Sequence, residues 1–193
     1  MDPNFRIEPL GSQHDRAAFS CGKESLDKYL KTQAGQAVAK NLAAVFVYTD
    51  GRQIAGYYTL SSFAVKLDEI PDALARKLTR MPAVPATLVG RLGRNLEFRG
   101  QGVGEILLID ALKRAYHNSK HVASWAVIVD VKDSDAERFY SRFGFIKFPT
   151  IEKRMFLPMT SIAQLFAEED APGPSMVKSS DREPPSQSPE DSE

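Results

Sequence analysis

The segment that most constrains the fold of this chain lies near its middle, where an apolar run, a glycine-rich loop and a helical pattern follow one another. The run Pro85–Gly90 is typical of a buried strand, and apolar residues recur at close to helical spacing from Glu105 to Tyr116. Glycines between them let a ligand approach the backbone, and the free N–H groups and positive dipole end of a helix start favour an anion. The segment therefore predicts a strand, a short turn, a loop that cradles a pyrophosphate, and a helix.

The spacing of the glycines limits which class of phosphate-binding loop this segment can form. Arg99-Gly-Gln-Gly-Val-Gly104 contains no Gly-Lys-Ser/Thr, which excludes a P-loop, and its spacing differs from the dinucleotide pattern G-x-G-x-x-G. What remains is R-x-x-G-x-G after a strand, which resembles the acetyl-CoA loop of the GNAT acetyltransferases. The resemblance implies that acetyl-CoA is the cosubstrate and that its pyrophosphate is held by Arg99, Gly100, Gln101, Gly102, Val103 and Gly104. The alternative is a glycine-rich turn that precedes an ordinary helix.

Length and charge distribution predict one folded domain followed by a tail. A chain of 193 residues suits a single domain, and we assign residues 1–167 to it. Residues 168–193 carry eight acidic and two basic side chains amid proline and serine, and this segment is too polar to fold alone. The first 167 residues therefore have a net charge of +6. A basic body attracts an anionic partner such as RNA, although an ordinary solvated surface explains the charge equally well.

Several features favour the cytoplasm. No apolar run approaches ~18 residues, so no segment is expected to span a membrane, and the N-terminus lacks a charged-then-apolar signal segment. Cys21 is the only cysteine, which excludes an intrachain disulfide and suits a reducing compartment. It is expected to be a plain thiol. Because His14, His117 and His121 lack metal-ligand grouping, no metal site is expected.

The remaining patterns predict the order β-α-β-β-α-β-α-β-α-β, which gives a mixed α/β domain of the α+β kind. Asp50-Gly51 predicts a tight turn between two strands, and Asp133 and Gly144 predict the start and the end of a helix. Further strands are predicted at 5–10, 122–130 and 153–158, and further helices from about Ser25, at 71–78 and at 160–166. This order also resembles the GNAT acyl-CoA N-acyltransferase fold, whose mixed, mostly antiparallel central sheet is flanked by helices.

A second motif agrees with the loop. Residues 136–145 are similar to the GNAT element A-x-x-F-Y-x-x-x-G-F on the last main helix of that fold. In many members of the family this tyrosine protonates the leaving thiolate, which implies that Tyr140 is the catalytic acid. Since a helix turns about 100° per residue, Phe139 and Phe143 share one face and Tyr140 is turned toward a cleft. The alternative is an aromatic core residue beside those two rings.

Three further segments resemble one branch of the GNAT family, the toxins of bacterial toxin–antitoxin pairs. They are Phe19–Leu30, Ile54–Ser61 and Gly90–Gly93, and the resemblance covers residues 5–160. Such toxins acetylate the α-amino group of the amino acid on charged tRNA, which blocks translation. The resemblance implies aminoacyl-tRNA as the substrate and a ribbon-helix-helix antitoxin from a neighbouring gene as a partner, and it leaves a homodimer open. The chain departs from the branch at 93–95, where Ala-Val-Asp is common, at Ala44 and Val45, and in its tail.

The chemistry can be matched to residues. Acyl transfer from a thioester needs a neutral amine, a donor for the oxyanion and an acid for the thiolate. An α-amino group has a pKa near ~8, and a lower one when esterified, so no strong base is required. In the family the central strand offers backbone N–H groups to the thioester carbonyl, which by position implies Leu92, Gly93 and Arg94. The candidates for contact with RNA are basic: Arg76, Lys77, Arg80 and Arg91.

The sequence leaves two other functions open. The first is a GNAT enzyme that acetylates a small amine or a protein N-terminus. The second is a module that keeps the fold and senses acetyl-CoA without turnover. The intact loop at Arg99–Gly104 and the presence of Tyr140 favour an enzyme, and the function predicted is N-acetyl transfer to aminoacyl-tRNA.

Overall fold

A computed structural model describes residues 4–78 and 82–166 of the chain. Seven strands form one sheet in the order β1-β2-β3-β4-β5-β7-β6. The strands are β1 (Arg6–Pro9), β2 (Ala44–Thr49), β3 (Ile54–Lys66), β4 (Ala83–Arg94), β5 (Ala126–Asp130), β6 (Ile146–Lys147) and β7 (Arg154–Pro158). β4 and β5 run parallel, and the other neighbouring pairs in this sheet are antiparallel. The predicted mixed, mostly antiparallel sheet is therefore confirmed.

Helices lie on both sides of this sheet. They are α1 (Glu24–Lys28), α2 (Ala34–Ala39), α3 (Asp72–Ala75), α4 (Val103–Ser119), α5 (Ser134–Arg142) and α6 (Met159–Phe166). A π-helical turn, Tyr29–Gln33, joins α1 to α2, and a 3-10 turn, Leu96–Phe98, lies between β4 and α4. Within residues 4–78 and 82–166, none of the helices combines the length and the apolar character that crossing a membrane requires.

The two faces of the sheet carry different helices. On the front face, α4, α5 and α6 pack together, and buried residues such as Leu108, Tyr140 and Ile162 form one apolar cluster with the sheet. On the back face, α1, the π-helical turn and α2 bury Leu30 against the sheet, while α3 lies near a separate cluster at the far end of β3 and β4. The core is thus divided by the sheet into a front and a back layer.

Local signals place several boundaries as predicted. Asp50 Oδ1 accepts the N–H of Gln53 at 2.8 Å in the turn between β2 and β3, so the predicted hairpin is confirmed. Asp133 Oδ1 accepts the N–H of Ala136 at 2.9 Å and so caps the start of α5. Gly144, just beyond the end of α5, has a left-handed φ of +83°, which glycine adopts without strain.

Two predicted elements are shorter than expected. The predicted strand at 122–130 begins only at Ala126, because the Val122 N–H donates to the Asn118 carbonyl at 2.9 Å and so extends the turn that ends α4. The helix predicted at 71–78 ends at Ala75, because the N–H groups of Lys77 and Leu78 bond three residues back rather than four. In both cases local hydrogen bonds replace the expected regular pattern.

β4 and β5 part partway along their length, and this opens the sheet. Their parallel pairing ends at Val89 and Val129. The next residue, Gly90, is skipped in the register with β3, and β4 then continues to Arg94 paired with β3 on one side. Because a bulge bends its strand, β4 diverges from β5 beyond this point. The expectation that the strand ends at Gly90 is therefore wrong, since β3 carries the pairing four residues further.

Candidate active site

A cleft of about 540 Å³ occupies the gap where β4 leaves β5. Its walls come from the end of β4, from the starts of α1 and α4, and from the end of β5 and the helix α5 that follows. The residues that line it are Cys21, Lys23, Ser25, Leu26, Val89, Gly90, Arg91, Leu92, Gly93, Arg94, Gly104, Asp130, Lys132, Asp133, Asp135, Ala136, Phe139 and Tyr140. Since α4 and α5 lie on the front face and α1 on the back face, the cleft reaches both faces of the sheet.

The glycine-rich loop leads into the first turn of α4, and of its residues Gly104 lines the cleft, whereas residues 99–103 lie outside the lining. Gly100 and Gly102 have left-handed φ values of +79° and +73°. The Glu105 N–H bonds to the Gly102 carbonyl at 3.0 Å, whereas the N–H groups of Gly100, Gly102, Val103 and Gly104 donate to no carbonyl in the described ranges. Free N–H groups at the positive end of a helix dipole form a site for phosphate oxygens. The backbone here therefore has the properties of the predicted cradle.

Gly56 of β3 allows α4 to lie close to the sheet. A Cβ atom built on Gly56 would lie 2.7 Å from Leu107 Cδ1 and 3.0 Å from Val103 Cγ1, both on α4. A side chain at this position would crowd the side chains through which the start of α4 packs on the sheet, and it would also meet the Gly93 carbonyl at 3.0 Å. Gly56 is absent from the predicted site residues, although a glycine inside a strand pattern is typical of a close approach.

The charged and polar side chains of the loop lie outside the cleft lining. Arg99 and Gln101 are exposed, and Gln101 Nε2 donates to the Glu97 carbonyl at 3.4 Å. Among the residues that the structure describes, no carboxylate forms an ion pair with Arg99. The guanidinium of Arg99 is thus available to an anion that the neighbouring N–H groups hold.

Residues 91–94 form the wall of the cleft where β4 has lost its second partner. Because strand N–H groups alternate between the two sides, half of those in this stretch are directed toward the gap rather than toward β3. Gly93 is buried, and a Cβ atom built on it would lie 3.1 Å from the ring of Tyr57. The structure thus brings Leu92, Gly93 and Arg94, which the sequence predicts as oxyanion donors, to the cleft wall.

Asn95 turns the chain from β4 into the loop. It is buried, its N–H donates to the Ala55 carbonyl at 2.8 Å, and its Nδ2 donates to the Ile54 carbonyl at 3.2 Å. Its Oδ1 accepts the N–H of Glu97 at 3.3 Å and so caps the 3-10 turn. Asn95 is a positioning residue that the sequence shows only as a departure from the branch. The available signal is an asparagine between a strand and a helical turn, which is typical of a cap.

Tyr140 of α5 is both a core residue and a cleft residue. Its side chain is 7% exposed, and its ring centre lies 5.2 Å from that of Phe139 and 5.3 Å from that of Phe145. Tyr140 also lines the cleft, so it is at once the aromatic core residue and the cleft residue that the sequence offered as alternatives. Burial raises the pKa of the Tyr140 hydroxyl above its ordinary value, because the ionised form would lose solvation. The group therefore stays protonated at physiological pH and can donate to a leaving atom.

The predicted basic residues separate in space. Arg91 lines the cleft, and its guanidinium carbon lies 3.7 Å from the centre of the Tyr29 ring. Arg76 and Lys77 are exposed after α3 and do not line the cleft. Arg80 lies outside the described residues. Of the four, Arg91 is the one that the structure brings to the site.

Other ionisable groups near the cleft have structural partners. Asp130 accepts from Arg154 Nε at 2.8 Å, and Glu97 accepts from the side-chain amide of Gln53 at 2.8 Å. Burial raises the pKa of the Cys21 thiol to about 11, which keeps it protonated and unreactive. Within residues 4–78 and 82–166 no group of three or more His, Cys, Asp or Glu side chains is arranged to hold a metal ion.

Comparison with known proteins identifies the family. A model of the acetyltransferase (GNAT) domain matches residues 90–161, which include both the glycine-rich loop and α5. The chain is 32% identical over 169 residues to the probable toxin TacT of Sinorhizobium fredii, and the match covers 82% of this chain and 93% of that protein. It is 29% identical over 159 residues to a tRNA-acetylating toxin of Mycobacterium tuberculosis, covering 82% of this chain and 95% of that protein.

Solved structures share the fold over nearly their whole length. KacT, crystallised as a tyrosine-to-phenylalanine mutant, matches with a TM-score of 0.80 at 27% identity, over 84% of this chain and 99% of KacT. AtaT complexed with acetyl-methionyl-tRNAfMet matches with a TM-score of 0.78 at 27% identity, over 84% of this chain and 99% of AtaT. The chain therefore belongs to the GNAT acetyltransferase family. It is an N-acetyltransferase whose relatives include tRNA-acetylating toxins, which confirms the predicted fold, family and branch.

Proposed function

We propose that this protein transfers the acetyl group of acetyl-CoA to the α-amino group of aminoacyl-tRNA and so acts as a translation-blocking toxin. The observation that carries the proposal is the cleft through the sheet, with free N–H groups at its front and the unpaired cation Arg91 in its lining. Such a cleft suits two substrates that both carry phosphates and that meet from opposite faces. The tRNA-acetylating relative and the AtaT complex with acetylated tRNA support the same acceptor.

The front of the cleft suits the acetyl donor. The N–H groups of Gly100, Gly102, Val103 and Gly104 would hold the pyrophosphate of acetyl-CoA, and Arg99 would add a fixed positive charge beside them. AtaT has been solved with acetyl-CoA bound, which supports this donor. Gly56 keeps these N–H groups close to the sheet, so that a donor held there would have its thioester end near β4.

The end of β4 supplies the electrostatic stabilisation that acyl transfer needs. When the amine attacks the thioester, the carbonyl oxygen gains a negative charge. N–H groups of residues 92–94 that are directed toward the gap can donate to this oxygen. They are fixed by pairing with β3 and by the hydrogen bonds of Asn95, so little reorganisation is needed during the reaction.

Tyr140 donates to the departing sulfur. The C–N bond forms, the C–S bond breaks, and one proton moves in net terms from the amine nitrogen to the thiolate. Because burial raises the pKa of Tyr140, its proton passes to sulfur only if the substituted ammonium returns a proton in the same step. The attacking amine needs no strong base, since an α-amino group has a pKa of about 8 and esterification lowers it, which leaves a substantial neutral fraction at physiological pH.

A direct test is the transfer of radiolabel from acetyl-CoA to bulk charged tRNA. We expect label that stays with the tRNA until the ester is hydrolysed and is then recovered as N-acetyl amino acid. Uncharged tRNA and the Tyr140→Phe variant are the controls that should remain unlabelled. Label found only on small amines or on protein N-termini would overturn the proposed acceptor, and loss of acetyl-CoA binding would overturn the assignment of the cradle.

The same relatives support a partner and a compartment. AtaT has been solved bound to the C-terminus of its antitoxin AtaR. We propose that an antitoxin of the ribbon-helix-helix kind, encoded beside this protein, neutralises it, and that a substrate of charged tRNA places it in the cytoplasm. The division into a GNAT domain at 1–167 and an acidic tail at 168–193 stays a proposal, since that tail lies outside the described residues. Rescue of growth by the neighbouring gene tests the partner.

A further inference from the structure

The carboxylates of the cleft are neutralised, whereas some of its cations are not. Each of the three carboxylates has a basic partner: Asp130 with Arg154 at 2.8 Å, Asp133 with Lys23 at 3.0 Å, and Asp135 with Arg138 at 2.5 Å. Arg91, Arg94 and Lys132 also line the cleft, and none of them has a carboxylate within 4.0 Å in the described parts of the chain. The cleft therefore holds three positive charges that await an anion.

Two of these cations, Arg91 and Lys132, contact the segment Glu24–Gln33, and Lys23 directly precedes that segment. The guanidinium of Arg91 stacks on the ring of Tyr29 at 3.7 Å, in the π-helical turn that follows α1. Lys132 Nζ lies 3.2 Å from Ser25 Oγ of α1, and Lys23 is the residue immediately before α1. We call Lys23, Arg91 and Lys132 the back mouth, because all three lie against elements of the back face.

The back mouth is separate from the site proposed for the pyrophosphate of acetyl-CoA. The free N–H groups of Gly100, Gly102, Val103 and Gly104 lie at the start of α4 on the front face. Tyr29, on which Arg91 stacks, belongs to the apolar cluster of the back face. β4 lies between the loop and the back mouth. An acetyl donor bound by the loop therefore does not occupy these three cations, and they stay available to bind the acceptor.

The chemistry of the back mouth favours phosphate. Arg91 is ordered by its ring contact, which costs the guanidinium little of its hydrogen-bonding capacity, because its five N–H donors lie in the plane of the group. Guanidinium and ammonium groups without carboxylate partners bind phosphate oxygens through short, charge-assisted hydrogen bonds. Arg91 and Lys132 have no carboxylate partner, and Lys23 has one in Asp133. These three positive charges around one opening suit a chain of phosphates, whereas they would repel the positive charge of a free amine.

We propose that Lys23, Arg91 and Lys132 bind the backbone phosphates of the last nucleotides of the acceptor RNA, so that the aminoacyl end enters the cleft from the back face. This subsite rests on the proposed function, since it takes charged tRNA to be the acceptor. It gives the cleft a direction, with the acetyl donor arriving from the front and the acceptor from the back.

Lys23 changes partner when the RNA binds. Its ion pair with Asp133 joins the start of α1 to the N-cap of α5 and so spans the back mouth. An arriving phosphate competes with Asp133 for the Lys23 ammonium. Asp133 keeps its other role, because its Oδ1 accepts the Ala136 N–H while its Oδ2 faces Lys23.

Binding of an RNA hairpin with a single-stranded 3′ end, followed by fluorescence anisotropy at several salt concentrations, tests the subsite. For Arg91→Gln and for Lys132→Gln we expect about fivefold to tenfold weaker binding and a salt slope lower by about 0.7, the value for one phosphate contact on a single strand. Lys31→Gln is the matched control, because Lys31 is an exposed lysine of the π-helical turn outside the cleft lining. Unchanged affinity and slope in both cleft variants would overturn the subsite.

The exchange of Lys23 between partners predicts two effects of opposite sign. Asparagine caps a helix about as well as aspartate, so Asp133→Asn keeps the cap of α5 and removes the competing charge. We expect Asp133→Asn to tighten hairpin binding and Lys23→Gln to weaken it, with unchanged melting temperature in the first variant. Weaker binding in both variants, with an unchanged melting temperature for Asp133→Asn, would overturn the exchange.

The outcomes distinguish the subsite from the proposed function. Hairpin binding that depends on Arg91, with no acetyl transfer to charged tRNA, would retain the subsite and overturn the function. Acetyl transfer to charged tRNA whose KM and salt dependence are unaffected by Arg91→Gln and Lys132→Gln would overturn the subsite and retain the function. The expected result is a higher KM for charged tRNA in both variants, with a kcat within about threefold of the wild type and an unchanged affinity for acetyl-CoA.

Discussion

The cleft at β4 and β5 and a second, larger groove differ in how their polar groups are satisfied. The groove, of about 650 Å³, lies on the front face over the middle of β3 and beside the C-terminal end of α4. The cleft is smaller, at about 540 Å³, yet it holds the features of an active site. Size therefore does not separate the two, and the difference must lie in the chemistry of their walls.

Polar groups in and beside the groove bond to one another. Arg114 Nε donates to Asp110 at 2.8 Å, the Tyr58 hydroxyl donates to the same carboxylate, and the hydroxyls of Thr87 and Ser124 lie 3.0 Å apart. The cleft, in contrast, has free N–H groups on its loop and cations without carboxylates. Free N–H groups at a helix start and cations without carboxylate partners together form a site for an anion, so the chemistry of the walls distinguishes the cleft from the groove.

The largest effect that this comparison predicts is that of Tyr140→Phe in the cleft. Removal of the hydroxyl should lower kcat about 100-fold or more, the range for loss of a general acid. The Phe139 and Phe145 contacts involve the ring, which phenylalanine retains, so the melting temperature should not change. Steady-state kinetics and thermal unfolding of the same preparation check this. A kcat close to that of the wild type would exclude Tyr140 as the acid.

Gly56→Ala should have the next largest effect. Its Cβ would lie 2.7 Å from Leu107 Cδ1 and 3.0 Å from the Gly93 carbonyl, so we expect a loss of about 1–3 kcal/mol in the free energy of unfolding. We also expect weaker binding of acetyl-CoA, because this crowding shifts the packing of the start of α4 on the sheet. Leu112→Ala is the control, since it removes a buried side chain further along α4 and should cost stability without weakening acetyl-CoA binding. Urea unfolding and calorimetric titration measure both quantities. Equal effects of the two variants on acetyl-CoA affinity would contradict a role for Gly56 in placing the loop.

Arg99→Glu should reverse a charge beside the cradle. We expect acetyl-CoA affinity to fall about tenfold, because an exposed carboxylate then faces the pyrophosphate across solvent. Arg76→Glu makes the same change on an exposed residue remote from the loop and should leave the affinity unchanged. Calorimetric titration of both variants at two salt concentrations checks this. The same affinity in Arg99→Glu and the wild type would refute the assignment of Arg99 to the cradle.

The smallest effect is expected in the groove. Ser62→Trp places a large ring at an exposed position in the groove lining, and Ser62 does not line the cleft. Acetyl transfer should stay within about twofold of the wild type, since the groove takes no part in binding or chemistry. A strong loss of activity in a variant that keeps its melting temperature would show that the groove, as well as the cleft, is used.

The sequence by itself determined the parts of the protein that are continuous in the chain. The hairpin turn at Asp50, the cap at Asp133 and the stop at Gly144 are confirmed because each depends on hydrogen bonds and φ angles within a few residues. The loop at 99–104 followed by a helix is confirmed for the same reason, and the family and activity that it implied are confirmed with it. Such features can be predicted without knowing which elements pack against them.

The tertiary structure alone decided how the site is assembled. The Lys23–Asp133 pair joins residues 110 positions apart, and the Arg91–Tyr29 contact likewise joins a strand to a helical turn on another element. The divergence of β4 from β5, which opens the cleft, depends on a bulge against a third strand. A local pattern fixes backbone angles and burial, whereas the approach of separate elements depends on how all their side chains pack at once. Gly56 is the clearest example. It matters because a side chain there would clash with α4, a helix that begins nearly fifty residues further along the chain.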